Sequence, residues 1–357
     1  MNEQMSVSTQ TSARLIGQLS SIANQNGLAD LAGRLQHLWH WVEDELNAFD
    51  QEMATLPIGE SLIEKAALHL LDMGGKHLRP LCLAVASKAG NGFDERGRSL
   101  ALAVELIHSA TLLHDDVIDL GDTRRGHSTS RMIYGNAASI YAGDWLLVQA
   151  LMRIQSANID GLTDKMLIII NDMVHAESLQ LDNRGRINSS FDDYFKVVEG
   201  KTAALFCWAL YAGGRVAGLD EDECQALETY GLHLGIAFQA IDDLLDVDGD
   251  AQVTGKALFT DLREGKMTYP LLMALERDAS ITNSVQECAE KPPEQPLPAE
   301  ALQVVLAALH STGAITACRE FAQEHSRKAV AALAHLRCQE TVVALTTIAE
   351  ATTFRKH

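Results

Sequence analysis

Aromatic side chains are scarce in this chain, at 5% of 357 residues, while Ala and Leu recur throughout. Strands favour aromatic and β-branched residues, so this scarcity points to helices. Cations are also in deficit: 29 Lys and Arg stand against 48 Asp and Glu, for a formal net charge of -19. A field of that sign repels nucleic-acid phosphates and anionic membrane surfaces, which excludes nucleic acid as an expected partner. The six cysteines (Cys82, Cys207, Cys224, Cys288, Cys318 and Cys338) form no C-x-x-C pair and sit mostly in apolar stretches. They read as reduced core thiols, which fits a cytoplasmic protein better than a disulfide framework or a zinc site. No run of 18 uncharged apolar residues occurs, so no membrane span is expected; the stretch Met166–Ile170 ends at Asn171 and Asp172. The opening MNEQMSVSTQTSAR lacks the apolar core of a secretory signal.

What remains is helical periodicity. Leu31, Leu35, Leu38, Trp39, Val42 and Leu46 predict an amphipathic helix over 28–55. A second is expected over 60–73, stopped by Gly74-Gly75, with Pro80 opening the next at its first position. Further helices are expected at 98–119, 127–155, 162–182, 192–216, 221–247, 266–277, 300–312 and 315–352, with GDTRRGHST as a loop. Four of the seven prolines lie in 281–299, which reads as a Pro-rich surface loop within one domain. No strand alternation and no fixed repeat is evident. The expected fold is all-α: a single helical bundle over 1–357, with 1–55 as an N-terminal helical extension.

The strongest chemical signal is LLHDDVIDL, which carries Asp115, Asp116 and Asp119 near the end of an apolar helix. A helix turns about 100° per residue, so Asp115 and Asp119 share a face one turn apart. Like charges there destabilise a helix, and its macrodipole makes anions at the C-terminus worse. The spacing recurs in FQAIDDLLDVDGD as Asp242, Asp243 and Asp246. Six carboxylates facing one cavity could not all ionise without cations. Mg²⁺ fits, with Mn²⁺ as a substitute, because it takes one or two carboxylates per ion and completes its shell with water and phosphate. A calcium loop in DVDGDAQVTGKA fails, since Ala251 and Ala257 stand where Gly and Glu are required. No H-E-x-x-H, nucleophile elbow, P-loop or dinucleotide fingerprint occurs.

Cations lie in short loops near these helices. GGKHLRP offers Lys76 and Arg79, DTRRG offers Arg124 and Arg125, EGKTAALF offers Lys201 beside Thr202, and GKALFTDLREGKMTYP offers Lys256 and Lys266. Singly each reads as a solvated charge. Together they supply most of what two diphosphates require: Arg forks and Lys point charges. His108 lies seven residues before Asp115, two turns up the same face.

In this order, two D-D-x-x-D motifs, G-G-K-x-x-R-P, R-R-G, G-K-T and D-L-R-E-G-K resemble the trans-type isoprenyl diphosphate synthases, the polyprenyl synthetase family, over about residues 60–275. The resemblance implies the isoprenoid synthase fold, a helical bundle around a central cavity, usually in a homodimer. It implies that Asp115, Asp116, Asp119, Asp242, Asp243 and Asp246 bind Mg²⁺ on an allylic diphosphate, which Arg124, Lys201, Lys256 and Lys266 also hold. Lys76, Arg79, His108 and Arg125 would bind isopentenyl diphosphate, Thr202 and Gln239 would line the reacting centre, and Glu177 and Gln180 match a weaker position near it. One departure is His77, where many bacterial relatives carry Arg.

The implied chemistry is ionisation of the allylic C–O bond, attack by the isopentenyl π-bond, and loss of a proton to the released diphosphate. A class I terpene cyclase and a non-catalytic partner subunit are the rival readings. Thr111 and Ala110, four and five residues before Asp115, are small where short-chain relatives carry an aromatic floor. Ile107 and Val104 are expected to continue the passage, with Tyr134 as a candidate floor. The expected product is therefore longer than C20, in the C30–C50 range, with C15 or C20 as the alternative. Membrane contact would be at most transient, for product release.

Overall fold

The structure, a computed structural model, describes residues 16, 17, 19–21, 23, 24, 27–57, 59–187, 190–249, 258–292 and 295–354. Lys256 lies outside them. The labelled helices run in chain order α1 (Ala29–Ala54), α2 (Leu62–Asp72), α3 (Leu78–Ser87) and α4 (Glu95–Ile118). A two-residue antiparallel ladder comes next, β1 (Thr123–Arg124) against β2 (His127–Ser128). Then come α5 (Ser130–Tyr134), α6 (Asn136–Ala157), α7 (Leu162–Asn183), α8 (Phe191–Val197), a π-helical turn (Val198–Ala203) and α9 (Ala204–Ala217). The remainder is α10 (Glu221–Asp248), α11 (Thr260–Arg263), α12 (Tyr269–Arg277), α13 (Thr282–Ala289), α14 (Ala299–Ser311), α15 (Ala314–Ala332) and α16 (Gln339–Thr353). The all-α expectation is met, with the small ladder as an addition that the polar R-R-G loop did not announce. Among the described residues no single helix is long and apolar enough to cross a membrane. All six cysteines are free thiols.

Several boundaries differ from the periodic reading, each for a local reason. Helix α3 starts at Leu78, two residues before Pro80; a proline in the first turn removes no intrahelical bond. The expected 127–155 helix breaks at Gly135, whose φ of 88° is a left-handed value. The helix expected from 266 begins at Tyr269, with Pro270 in its first turn. All four prolines of 281–299 fall at Pro292 or later, and the proline-free half folds as α13, burying Val285, Cys288 and Ala289. The 315–352 helix divides after His335. There the Arg337 backbone N–H donates to Glu223 Oε1 at 3.2 Å and its guanidinium pairs with Asp220 at 2.5 Å.

Packing divides the chain into two compact units. The first holds residues 1–166, 208–228 and 333–348. Its centre is α4, whose residues Leu100 to Ile107 are all buried. Helix α1 packs on α3 and α4 through Leu31, Leu35, Leu38, Val42, Leu46 and Phe49. Glu45 pairs with Lys88 at 2.5 Å and Glu52 with Arg153 at 2.9 Å. Residues 29–54 thus pack into this core.

The second unit holds residues 167–207, 229–332 and 349–357. Its close backbone approach depends on glycine. A Cβ on Gly231 would come 2.8 Å from Cys207 Cα, and one on Gly235 would overlap Ala203 Cα outright. These two glycines, one helical turn apart, seat α10 against the first turn of α9 and the π-helical turn before it. Gly200 does the same on the other side, where a Cβ would meet Ala176 Cβ at 2.8 Å.

Because Phe49 is fully buried and its ring lies 5.3 Å from that of His77, Phe49→Ala should cost about 3–5 kcal/mol of stability, measured by urea denaturation. A loss under about 1 kcal/mol would mean that α1 is only loosely attached.

Candidate active site

Each unit carries one acidic motif, and the two are built alike. On α4, Asp115 is half-buried, Asp119 is the half-buried C-cap, and Asp116 is buried at 3% exposure. A rotation of about 100° from Asp115 turns Asp116 into the protein. There Asp116 Oδ1 accepts from Arg124 Nε at 3.0 Å and Nη2 at 2.8 Å. Burial raises the Asp116 carboxyl and the Arg124 fork opposes that rise. The Asp116 carboxylate anchors Arg124, and the half-open face of the motif belongs to Asp115 and Asp119.

The loop behind Arg124 is anchored as well. Arg131 donates Nε to Gly121 O at 2.9 Å and Nη2 to Leu120 O at 2.8 Å, and pairs with Asp122 at 2.7 Å. Leu120 and Arg125 hold left-handed φ values of 54° and 52°, strained for side-chain-bearing residues.

Nearly three turns up α4 from Asp115, a buried carboxylate organises the remaining cations. Glu105 Oε1 pairs with His77 Nδ1 at 3.0 Å, and both side chains are buried. Burial alone would raise Glu105, but His77, His108 and Arg79 outweigh it and hold the carboxyl down at about 2. Burial, then the Arg79 guanidinium, pulls His108 down to about 3, so it is a neutral imidazole at physiological pH. Gly75 permits the convergence: a Cβ there would lie 3.3 Å from Glu105 Oε1 and 3.4 Å from Arg125 Nη2. Lys76 is exposed on the same loop and Arg79 is buried. The structure thus brings together Arg79, His108, Arg125 and the unexpected Glu105. His77 turns inward to Glu105, and its own phosphate contact is not supported.

In the second unit, Asp242 and Asp246 are half-buried one turn apart on α10, while Asp243 is buried at 2% exposure. Asp243 Oδ1 accepts from Gln239 Nε2 at 2.8 Å, and Oδ2 accepts from Tyr194 Oη at 2.7 Å and the Tyr269 backbone N–H at 3.2 Å. As with Asp116, the middle aspartate is held by donors of the protein. Asp246 accepts the Thr260 and Asp261 backbone N–H groups at 2.9 and 3.2 Å. Burial, then the Asp261 carboxylate, raises Asp243 to about 7 and Asp246 to about 8. Asp261 went unassigned in the sequence although it opens D-L-R-E-G-K. Nearby, Lys201 Nζ meets Glu177 Oε1 at 2.6 Å and Gln180 Oε1 at 3.3 Å, so both weaker positions join the site. Thr202 Oγ1 donates to Gln239 Oε1 at 2.8 Å, and Lys266 Nζ pairs with Glu264 at 2.7 Å.

Hard carboxylate oxygens set in pairs one helical turn apart, with Asp246 raised by burial and by Asp261, fit a divalent cation. Among the described residues no three acidic, His or Cys side chains converge as a ready-made metal cage. The donor set offers one or two carboxylates per ion, which matches magnesium's preference for water and phosphate in its remaining positions.

On α4 the half-open stripe is His108, Thr111, Leu112 and Asp115. The Thr111 hydroxyl donates to His108 O at 2.8 Å within its own helix, which suits an apolar neighbour. Ala110, Ile107 and Val104 are buried. Ala110 lies about 140° and Ile107 about 80° round the helix from the Asp115 face. Val104 lies on that face but has no exposed surface, so the stripe stops at His108, about 10 Å from Asp115. Tyr134 packs edge-on against His69 with ring centroids 5.9 Å apart.

The model of the polyprenyl synthetase family matches residues 60–305. The octaprenyl diphosphate synthase of Escherichia coli is 36% identical over 272 residues, covering 76% of this chain and 83% of that protein. A Caulobacter crescentus polyprenyl synthase, solved with calcium and isoprenyl diphosphate, superposes with a TM-score of 0.83 at 32% identity, covering 90% of this chain and 98% of that one. A decaprenyl diphosphate synthase from Rhodobacter capsulatus gives 0.82 at 31% identity, with 90% and 99% coverage.

The depressed Glu105 carboxyl predicts a pH-dependent stability. A lowered folded-state pKa contributes stability that is complete above the ordinary value of 4.5 and lost as pH falls through about 2. Glu105→Gln should therefore be less stable than wild type at neutral pH, and the pH-dependent part of the gap, about 3 kcal/mol, should close between those values. Denaturant melts of both proteins from pH 7 to pH 2 check this; a gap constant with pH would contradict it.

Proposed function

The chain belongs to the polyprenyl synthetase family and is a prenyltransferase of isoprenoid biosynthesis with the isoprenoid synthase fold, and on that premise we propose that it condenses isopentenyl diphosphate with an allylic diphosphate to a long trans-polyprenyl diphosphate. One observation carries the reading. In both units an aspartate pair one helical turn apart holds a half-open face, while the aspartate between them is fixed inward on a neighbouring side chain of the site.

Asp115, Asp119, Asp242 and Asp246 would hold Mg²⁺, or Mn²⁺ in its place. Bound there, the cation supplies Lewis-acid stabilisation of the departing diphosphate. Arg124, fixed by Asp116, presents the rest of its guanidinium to the allylic diphosphate, and Lys201, Lys266 and Lys256 add point charges. Lys76, Arg79 and Arg125 would receive isopentenyl diphosphate, with neutral His108 as a hydrogen-bond donor. Thr202 and Gln239 stand by the allylic carbon. As its C–O bond breaks, the isopentenyl π-electrons form the new C–C bond, and the released diphosphate takes the proton. Apolar walls exclude the water that would otherwise trap the cation.

Thr111, with no aromatic ring on the stripe above Asp115, supports a product beyond C20. The alternative is a C15 or C20 product. A second copy of the chain is proposed as the partner. Helix α6 exposes Ile140, Tyr141, Val148 and Met152 along one side, continued by Met132 and Ile133 of α5. The free thiols and the negative charge fit work in the cytoplasm without nucleic acid, touching membrane only transiently to release product.

Purified protein given radiolabelled isopentenyl diphosphate, an allylic primer and Mg²⁺ should form polyprenyl diphosphate, with masses in the C30–C50 range under excess isopentenyl diphosphate. Chelator should abolish turnover, and Asp115→Ala should lower it by about 10²-fold or more. Thr111→Phe should shorten the product. Full activity in excess chelator would sink the metal assignment, and a wild-type product ending at C15 would select the short-chain alternative. Sedimentation should give a dimer, and Ile140→Asp with Val148→Asp should give a monomer; a wild-type monomer at working concentration would refute that partner.

A further inference from the structure

The middle aspartate of the second motif raises a question that metal binding does not answer: what its three hydrogen bonds accomplish. A backbone N–H can only donate, so Oδ2 of Asp243 must accept from Tyr269, and the Tyr194 hydroxyl donates to the same oxygen at 2.7 Å. With both of those donors on Oδ2 and Gln239 Nε2 at 2.8 Å from Oδ1, Asp243 accepts all three bonds and Gln239 turns its NH₂ group toward it. Its carbonyl then faces Thr202, and the Thr202 proton goes to that carbonyl at 2.8 Å. Both lone pairs of Thr202 Oγ1 are left directed away from Gln239. The chain of bonds therefore has one direction, set at its buried end, and each bond polarises the next.

We propose that Tyr194 is a positioning residue: with Asp243 it fixes the direction of the Gln239–Thr202 hydrogen-bond chain, so that an electron-rich Thr202 oxygen faces positive charge developing on the allylic carbon. This rests on the prenyl-transfer reading above and adds a residue to it. Tyr194 is well placed for that work. It is buried on α8, its ring packs against Phe195 and Tyr269 at 5.6 and 5.8 Å, and its hydroxyl touches no other polar side chain of the relay. The same oxygen of Asp243 is thereby supplied from α8 and α12 while the other addresses α10, its own helix.

Asp243→Asn separates direction from mere satisfaction. Its amide oxygen can still accept from Tyr194 and Tyr269, and its NH₂ can donate to Gln239, which then flips. Every bond survives, but the chain runs backwards and the Thr202 proton points outward. The expected results, at saturating Mg²⁺, are a kcat about 100-fold lower for Asp243→Asn and about tenfold lower for Tyr194→Phe. Each KM should stay within about twofold, with the melting temperature of Asp243→Asn unchanged. The double variant should be no slower than Asp243→Asn alone, because the tyrosine acts only through the aspartate. Mn²⁺ binding by calorimetry, with an allylic diphosphate analogue present, should match wild type for both variants.

An Asp243→Asn enzyme within a few-fold of wild type overturns the inference. So does activity restored by raising Mg²⁺, or weakened Mn²⁺ binding, since both would make Asp243 a metal ligand; multiplying losses in the double variant would do the same. If Tyr194→Phe fails to fold, Asp243→Asn decides alone. A wild-type protein that forms no prenyl product would instead refute the underlying reading.

Discussion

Buried carboxylates need donors, and three of them organise this molecule. Glu105, Asp116 and Asp243 are each sequestered from water. An ion so placed costs several kcal/mol unless partners surround it. Those partners come from elsewhere in the chain: His77 from the loop before α3, Arg124 from the small ladder, and Tyr194 from α8. Each pairing brings a loop or short helix to a fixed place against α4 or α10. The loops that carry the cations have little apolar surface of their own, and it is the buried acids that hold them.

This also resolves the conflict between a net charge of -19 and anionic substrates. The overall charge is negative, yet the acids nearest the cations are turned inward and matched. Asp116 removes one carboxylate from the open face and returns an oriented guanidinium in exchange. Glu105 gathers two histidines and two arginines around a single negative charge. The remaining acids of the two motifs lie in pairs one turn apart, where a divalent cation fits.

Much of this was readable from the chain. The 3.6-residue period located most helices, and the repeated D-D-x-x-D spacing singled out the two faces. What escaped had physical reasons. The second aspartate of each motif was grouped with the others, although one residue of helix is a rotation of about 100° and already turns it away. Glu105 reads as a solvated charge because burial depends on what packs against α4. Tyr194 reads as a core aromatic, since nothing nearby in sequence reveals that its hydroxyl meets a residue 49 positions later. The break after His335 has no proline or glycine to mark it and is held by Arg337 reaching Asp220 and Glu223. Gly135 and the prolines, by contrast, are punctuation visible in the sequence.

The π-helical turn at Val198–Ala203 constrains how this gene can drift. Such a turn holds one residue more than the α-helix around it, so it fixes the angular phase between α8 on one side and α9 on the other. Tyr194 lies on the α8 side, Lys201 and Thr202 within the turn, and the core positions Phe206 and Trp208 on the α9 side. Losing one codon between Val198 and Ala203 would let the segment relax to an ordinary helix and rotate everything downstream by about 100°. Substitutions here outside Gly200, Lys201 and Thr202 can be absorbed locally. A change of length cannot, and relatives that keep this site should align here without gaps even where their side chains have diverged.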